Sequence, residues 1–328
     1  MADMGPRYVP TKLLGSGVHG QVWQCTDEKS GSRAPVAVKV FDTRVPKQLR
    51  GLERELVASV ELRSRPGAVN RHLVAPHACV FTGSAHVGLV QRLAPGQSLD
   101  RLLLLKGRPK RLGVRESMAV FAHMVEALDF CHNRGMAHLD MKAENVVVVA
   151  AAHGAWEACL CDFGLSTATA PPLRMGLVGS FGYIPPEVLA HGVLPNFAAM
   201  PYAPTAVDVW AAGALLHKML LGCLPYGADE IMRTALYSHL DRRAAISLMW
   251  DAVASAESWR KHVDPLPSCM QGAASLLDCM LQKDPRNRPP IADVLASIVV
   301  TTTCGLADDV SDDGADMEQL RDALFRGG

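Results

Sequence analysis

His138-Leu139-Asp140-Met141-Lys142-Ala143-Glu144-Asn145, with Asp162-Phe163-Gly164 further along, is the stretch on which the reading of this chain turns. Phosphoryl transfer needs a carboxylate to orient and deprotonate a hydroxyl, a cation at the moving phosphoryl, and oxygen ligands for Mg²⁺. Asp140, Lys142, Asn145 and Asp162 supply each of these types. An HxD or a DFG alone arises by chance in many chains. Both together and in this order are informative.

Working outward toward the N-terminus, Gly15-Ser16-Gly17-Val18-His19-Gly20-Gln21-Val22 lies between two β-rich runs, Tyr8 to Leu14 and Gln21 to Thr26. Glycines let a backbone approach a phosphate closely and offer it N–H groups. No helix follows this loop, which excludes a dinucleotide-binding fold. A third run, Ala34 to Phe41, contains Val36-Ala37-Val38-Lys39, and strand alternation puts Ala37 and Lys39 on one face. A half-buried lysine requires a carboxylate partner. The helical pattern over Leu49 to Leu62, with apolar Leu49, Leu52, Leu56 and Val60, offers Glu53 and Glu55.

At this point the sequence resembles the eukaryotic-type Ser/Thr protein kinases, from about Tyr8 to about Val300. The resemblance implies an α+β, two-lobed protein-kinase-like fold, with a small β-rich N-lobe over about 8–93 and a larger helical C-lobe over about 94–300. The active site would lie in the cleft between them. It implies ATP and Mg²⁺ as cofactors, Asp140 as catalytic base and Lys142 as the γ-phosphate contact. Asn145 and Asp162 become metal ligands, and Lys39 pairs with Glu55 to hold the α/β-phosphates. Leu14, Gly15, Gly17, Gly20, Val22, Ala37 and Val147 would surround the nucleotide, with backbone groups of Arg92 and Ala94 meeting adenine at a hinge. Gly179 to Glu187 resembles the end of an activation segment. Ser180 stands where a Thr normally bonds the catalytic Asp and Lys. Asp208 resembles the residue that braces the catalytic loop, and Arg288 the partner of Glu187. Lys142 favours serine or threonine over tyrosine as acceptor, and Glu144 resembles a position that reads a basic residue ahead of it.

The sequence also departs from the family pattern. Leu139 replaces the Arg that pairs with a phosphorylated activation segment, giving HLD in place of HRD and an expectation that no such phosphorylation is needed; Ser166, Thr167 and Thr169 are the candidate sites. Ser59 replaces a bulky apolar residue, which points to a mobile helix or to Glu53 as the true partner of Lys39. His19 replaces an aromatic at the loop tip, and Ser64 to Asn70 resembles an insertion. Cys161 reads as inert packing. A catalytically dead scaffold would normally lose Lys39, Asp140 or Asp162, and none is missing. Small-molecule kinases usually lack the Ser180 to Glu187 segment and the Arg288 region.

Bulk properties fit this reading. The 328 residues are 49% hydrophobic and 20% charged, and 33 Lys/Arg balance 33 Asp/Glu. That composition suits a compact domain, and the balance argues against a nucleic-acid binder. Nine cysteines without zinc-ligand spacing fit a reducing, cytoplasmic or nuclear setting. No signal peptide or membrane span is expected, and the partners are protein substrates of a monomer. Beyond Cys304 an acidic run, with a short helix expected over Met317 to Phe325, reads as a flexible tail over 304–328.

Overall fold

The computed structural model describes residues 7–30, 34–64, 70–82, 85–105, 111–150, 156–170, 176–194, 201–263 and 266–305. The acidic tail beyond residue 305 and residues 65–69 of the expected insertion lie outside them. Five antiparallel strands open the chain: β1 (Tyr8–Gly17), β2 (Gly20–Asp27), β3 (Pro35–Asp42), β4 (Pro76–Thr82) and β5 (His86–Arg92). Their order is β1-β2-β3-β5-β4. Alternation divides β3 between two layers: Val38 and Val40 join a small apolar cluster with Tyr8 and Cys25, whereas Ala37 and Lys39 face the other way. The turn into β2 depends on Gly20, whose φ is +113° and where a Cβ would meet the Val40 carbonyl oxygen at 2.2 Å.

Helix α1 (Pro46–Arg63) lies across this sheet. It starts three residues before the hydrophobic pattern does, because proline presets the helical φ at the first turn. Its buried stripe is Leu52, Glu55, Ala58 and Leu62. Leu56 and Val60, which the periodicity placed on that stripe, are 39% and 65% exposed. A buried carboxylate on the inner face is what disguised the true register.

The rest is mainly helical: α2 (Leu99–Leu105), α3 (Val114–His132), α4 (Pro186–Val193), α5 (Pro204–Leu221), α6 (Ala228–Tyr237), α7 (Arg242–Ser255), α8 (Gln271–Met280) and α9 (Ile291–Gly305). Helix α5 is apolar all round and buried nearly throughout, as a central core helix must be. Gly222, at φ 76°, caps it in the left-handed conformation. The short strands β6 (Gln97–Ser98), β8 (Val146–Ala150) and β9 (Trp156–Leu160) form one small sheet, and β7 (Met136–Ala137) pairs with β10 (Thr167–Ala168). One continuous apolar core joins α1 residues Ala58 and Leu62 to α3, α5, α8 and α9. Helices α2 and α4 were not expected from sequence: each is only seven or eight residues long, although Ser98 caps α2 by accepting the Arg101 N–H and a proline opens α4. Among the described residues, no single helix is long and apolar enough to cross a membrane.

Candidate active site

Strand β3 and helix α1 bring the first charges together. Lys39 Nζ donates to Glu55 Oε1 at 2.5 Å and to Asp162 Oδ1 at 2.8 Å, with the lysine side chain 5% exposed. Glu53 is exposed, so the ion-pair partner is Glu55. Ser59 does not loosen the helix: its hydroxyl donates to the Pro76 carbonyl at 2.7 Å, tying α1 to β4. Burial alone would lower the pKa of Lys39, but the charges of Glu55 and Asp162 outweigh it and hold the ammonium protonated. Burial would likewise raise Asp162; the charge and hydrogen bond of Lys39 and the Gly164 N–H bring its carboxylate well below the usual range. Asp162 adopts φ 70°, which turns its carboxylate back onto its own Gly164 N–H at 3.0 Å.

The second group gathers around Asp140. Ser180 donates to Asp140 Oδ1 at 2.6 Å, and Lys142 Nζ donates to Ser180 Oγ at 2.8 Å. Lys142 also lies 2.9 Å from Asp140 Oδ2. Asn145 Nδ2 donates to the Asp140 carbonyl at 2.8 Å and to its Oδ2 at 3.0 Å. These bonds fix the Asp140 carboxylate from both sides while leaving the amide oxygen of Asn145 for another partner.

The loop that carries Asp140 is held from below by α5. Asp208, fully buried, accepts the His138 N–H at 2.8 Å and the Leu139 N–H at 2.7 Å. His132 from α3 lies 2.9 Å from the same carboxylate. Leu139 occupies φ 63° and is buried in the main core. This position therefore offers a methyl-rich side chain, and no cation, to any phosphate on a neighbouring segment. Of the three hydroxyls expected as modification sites, Ser166 is 2% exposed and bonded to the Phe163 carbonyl, so it is packed away. Thr167 pairs with Ala137 and the Thr169 N–H is bonded to Gly135.

The residues that the family resemblance assigns to the nucleotide lie on β1, β2, β3 and β8 and at the end of β5. Val22 is the register partner of Lys39, and Ala37 is buried in the same sheet face. Leu14 falls at a bulge between Leu13 and Gly15. A Cβ on Gly15 or Gly17 would meet nothing within 4 Å, so no packing inside the chain explains those glycines. The His19 ring lies over Gly164, where a Cβ would come within 3.3 Å of Nδ1. Arg92 is the last paired residue of β5, and its side chain turns to the Arg71 carbonyl at 2.9 Å. A cavity of about 320 Å³ is lined by Arg71, His72, Arg92, Val147, Val149 and Cys159. It shares Val147 and Arg92 with the expected nucleotide set but touches none of Lys39, Asp140, Asn145 or Asp162. Burial pushes the Cys161 thiol far above its ordinary pKa, which makes it a poor nucleophile.

Arg288 and Glu187 form two parallel bonds, 2.6 and 2.8 Å, and the guanidinium lies over Trp210 at 4.9 Å. Sequence reasoning missed the contacts of Tyr183, Lys218 and Arg54. Tyr183 accepts the Ala143 N–H at 3.4 Å, and Lys218 of α5 pairs with Asp100 of α2 at 3.2 Å. A lysine in an apolar helix carries no motif, so only the fold reveals what it meets. Arg54, donating to the Gly164 carbonyl at 3.3 Å, was invisible for the same reason.

A small sheet lobe with one crossing helix, a larger helical lobe, and Lys39 reaching Asp162 between them define the two-lobed kinase architecture. The protein kinase domain family matches residues 8–299, and the chain belongs to that family. It is 28% identical over 293 residues to CBL-interacting protein kinase 9 of Oryza sativa subsp. japonica, covering 87% of this chain and 58% of that one. It is 27% identical over 265 residues to CBL-interacting serine/threonine-protein kinase 1 of Arabidopsis thaliana, covering 80% and 54%. CBL-interacting protein kinase 20 of Oryza sativa subsp. japonica is 31% identical over 238 residues, covering 69% and 47%. The chain thus spans roughly half the length of these three relatives.

Proposed function

We propose that this chain is a Ser/Thr protein kinase that transfers the γ-phosphoryl group of ATP to serine or threonine hydroxyls of proteins. The observation that carries the reading is the Asp140–Ser180–Lys142 triangle, with Asn145 bonded to the same carboxylate. Ser180 holds one oxygen of the Asp140 carboxylate, and Lys142 and Asn145 the other, so that it can orient an acceptor hydroxyl and take its proton. Lys142 supplies positive charge where the transferred group develops negative charge. Lys39, anchored by Glu55, holds the α/β-phosphates, and the Gly15–Gly20 backbone covers them. Asp162 and the free amide oxygen of Asn145 are hard oxygen donors that fit Mg²⁺, an ion usually held by one or two side chains plus substrate phosphates. That ion would neutralise charge on the phosphates.

Leu14, Val22, Ala37 and Val147 provide the apolar walls for adenine, with Arg92 and Ala94 at its edge. Residues 8–300 form the catalytic domain, the N-lobe ending near 93, and 304–328 are an acidic appendage. The chain acts as a monomer in the cytoplasm or nucleus on protein substrates and has no nucleic-acid or membrane partner. The names of its relatives support serine or threonine as acceptor. The test is incubation with Mg·ATP and a degenerate peptide library, with phosphorylated residues identified by mass spectrometry. Phosphoserine and phosphothreonine that vanish with Lys39→Met are expected. Label on tyrosine alone, or label unaffected by Lys39→Met, contradicts the reading.

A further inference from the structure

The cavity of about 320 Å³ beside the end of β5 has three walls, and none of them carries Lys39, Asp140, Asn145 or Asp162. Strand alternation fixes the side of β5 on which it lies. Arg92 is the register partner of Val36, so it shares the sheet face of Val36, Val38 and Val40, opposite Ala37 and Lys39. The second wall is the ribbon of β8 and β9, which pairs Val147 with Cys159 and Val149 with Glu157. All four line the cavity, while the alternate residues Val146, Val148, Ala158 and Leu160 enter the main core. The third wall is the connection from α1 to β4. It is laid along β9 by the Leu160 N–H on the His72 carbonyl at 2.8 Å and the Val74 N–H on the Leu160 carbonyl at 2.9 Å.

Two guanidiniums are built into these walls. His72, 3% exposed, donates from Nδ1 to the Ala158 carbonyl at 2.9 Å, which leaves Nε2 to accept the Arg71 Nε–H at 2.9 Å. The Arg71 Nη groups have no partner among the described residues. Arg92 uses Nη2 toward the Arg71 carbonyl at 2.9 Å and Cys159 Sγ at 3.4 Å, and its Nε and Nη1 have no partner among the described residues. Glu157 lines the same cavity without an ion pair to either arginine. Glu126 Oε2 stands 3.6 Å from His72 Nε2, beyond hydrogen-bond reach, and pairs with neither guanidinium. Positive charge is therefore in surplus over apolar walls of Val147, Val149 and Pro95, with several N–H donors that no protein group uses.

We propose that this cavity is a second binding site, separate from the nucleotide's, for a small organic acid: a carboxylate on a compact, flat apolar body. Its volume falls at the lower end of the range for small-molecule sites, about 300–1,000 Å³. A guanidinium meets a carboxylate through two parallel N–H donors, and the apolar body would lie on Val147, Val149 and Pro95. Because Arg92 ends the N-lobe sheet and Val147 and Val149 belong to the C-lobe ribbon, a bound acid bridges the two lobes at the hinge. The inference goes beyond phosphoryl transfer, and its test reads binding alone.

The test is isothermal titration calorimetry of the full chain with 2-naphthoate, 2-naphthamide and 2-naphthylmethylammonium, with and without saturating Mg·ATP. Nucleotide is included because Val147 and Arg92 are common to this cavity and the nucleotide set. 2-Naphthoate should bind at least about tenfold tighter than the amide, the effect of one charge-assisted hydrogen bond, and should stay bound when Mg·ATP is present. Arg71→Met should remove that advantage, and Val149→Phe, which fills the cavity, should weaken naphthoate and amide alike. Glu157→Gln should strengthen naphthoate binding by removing a like charge. Since Arg71→Met and Glu157→Gln act in opposite directions, loss through misfolding cannot imitate the pattern. Equal affinity for the three probes, displacement of naphthoate by Mg·ATP, or unchanged binding to folded Arg71→Met and Val149→Phe chains overturns the proposal. So does tightest binding of the ammonium probe, which would assign the cavity to a cation held by Glu157.

Discussion

Ser180 links the Asp140 carboxylate to Lys142 through two hydrogen bonds. Its hydroxyl donates to the carboxylate at 2.6 Å and accepts from Lys142 at 2.8 Å. Ser180→Ala leaves both groups without that partner, and loss of one charge-assisted bond corresponds to a rate lower by about tenfold to a hundredfold. Ser180→Thr keeps the hydroxyl and should retain most of the rate; steady-state kinetics on the two variants checks this. His217 shows the opposite use of a polar group. It is 1% exposed, its Nδ1 donates to the Cys223 carbonyl at 2.7 Å, and Nε2 has no partner among the described residues. Burial lowers its pKa to about 4. A histidine lowered in the native state binds fewer protons than the unfolded chain between its two pKa values. Stability is therefore present above the unfolded pKa, near 6.5, and is lost as pH falls toward 4. The loss amounts to about 3 kcal/mol at 1.36 kcal/mol per unit. Chemical denaturation at pH 7 and pH 4.5 should show it, and His217→Phe should flatten the slope.

Helix α5 organises the site as an element rather than through any one residue. From a single buried rod it extends Asp208 to the catalytic loop, Trp210 to Arg288 and Lys218 to Asp100. Leu139 can hold its left-handed φ because Asp208 accepts its N–H and the core surrounds its side chain; such strain otherwise costs about 1–3 kcal/mol. The start of α4 is pinned in the same manner. The Arg288 side chain is 0% exposed and its Glu187 partner 14%, so the pair is nearly dry. Removing one member of a buried pair strands the other, at about 3–5 kcal/mol. Arg288→Ala should lower the melting temperature sharply, with a smaller effect for Glu187→Gln, which keeps hydrogen-bonding capacity. Equal melting curves for wild type and Arg288→Ala would show that the pair contributes little.

Taken as a whole, the molecule was legible wherever chemistry demands particular residues at particular spacings. Lys39, Asp140, Asn145, Asp162 and Asp208 were identifiable in sequence because each belongs to a motif, and the structure pairs Lys39 with Asp162 and Asn145 with Asp140. The choice between Glu53 and Glu55 was open to periodicity alone, since a buried charge looks like a gap in an apolar stripe. Lys218 and Asp100 were illegible for a deeper reason: they meet across 118 positions of chain, and nothing local marks either one. Short helices α2 and α4 were missed because seven or eight residues give too few turns for an apolar period to show. The role proposed for Asp140 lies in the chemical step and not in nucleotide binding. A single-turnover experiment at saturating Mg·ATP, run beside an ATP-binding titration, separates the two. Asp140→Asn should bind nucleotide with affinity close to wild type and transfer phosphate about a hundredfold or more slowly. Equal transfer rates for the two proteins would contradict it.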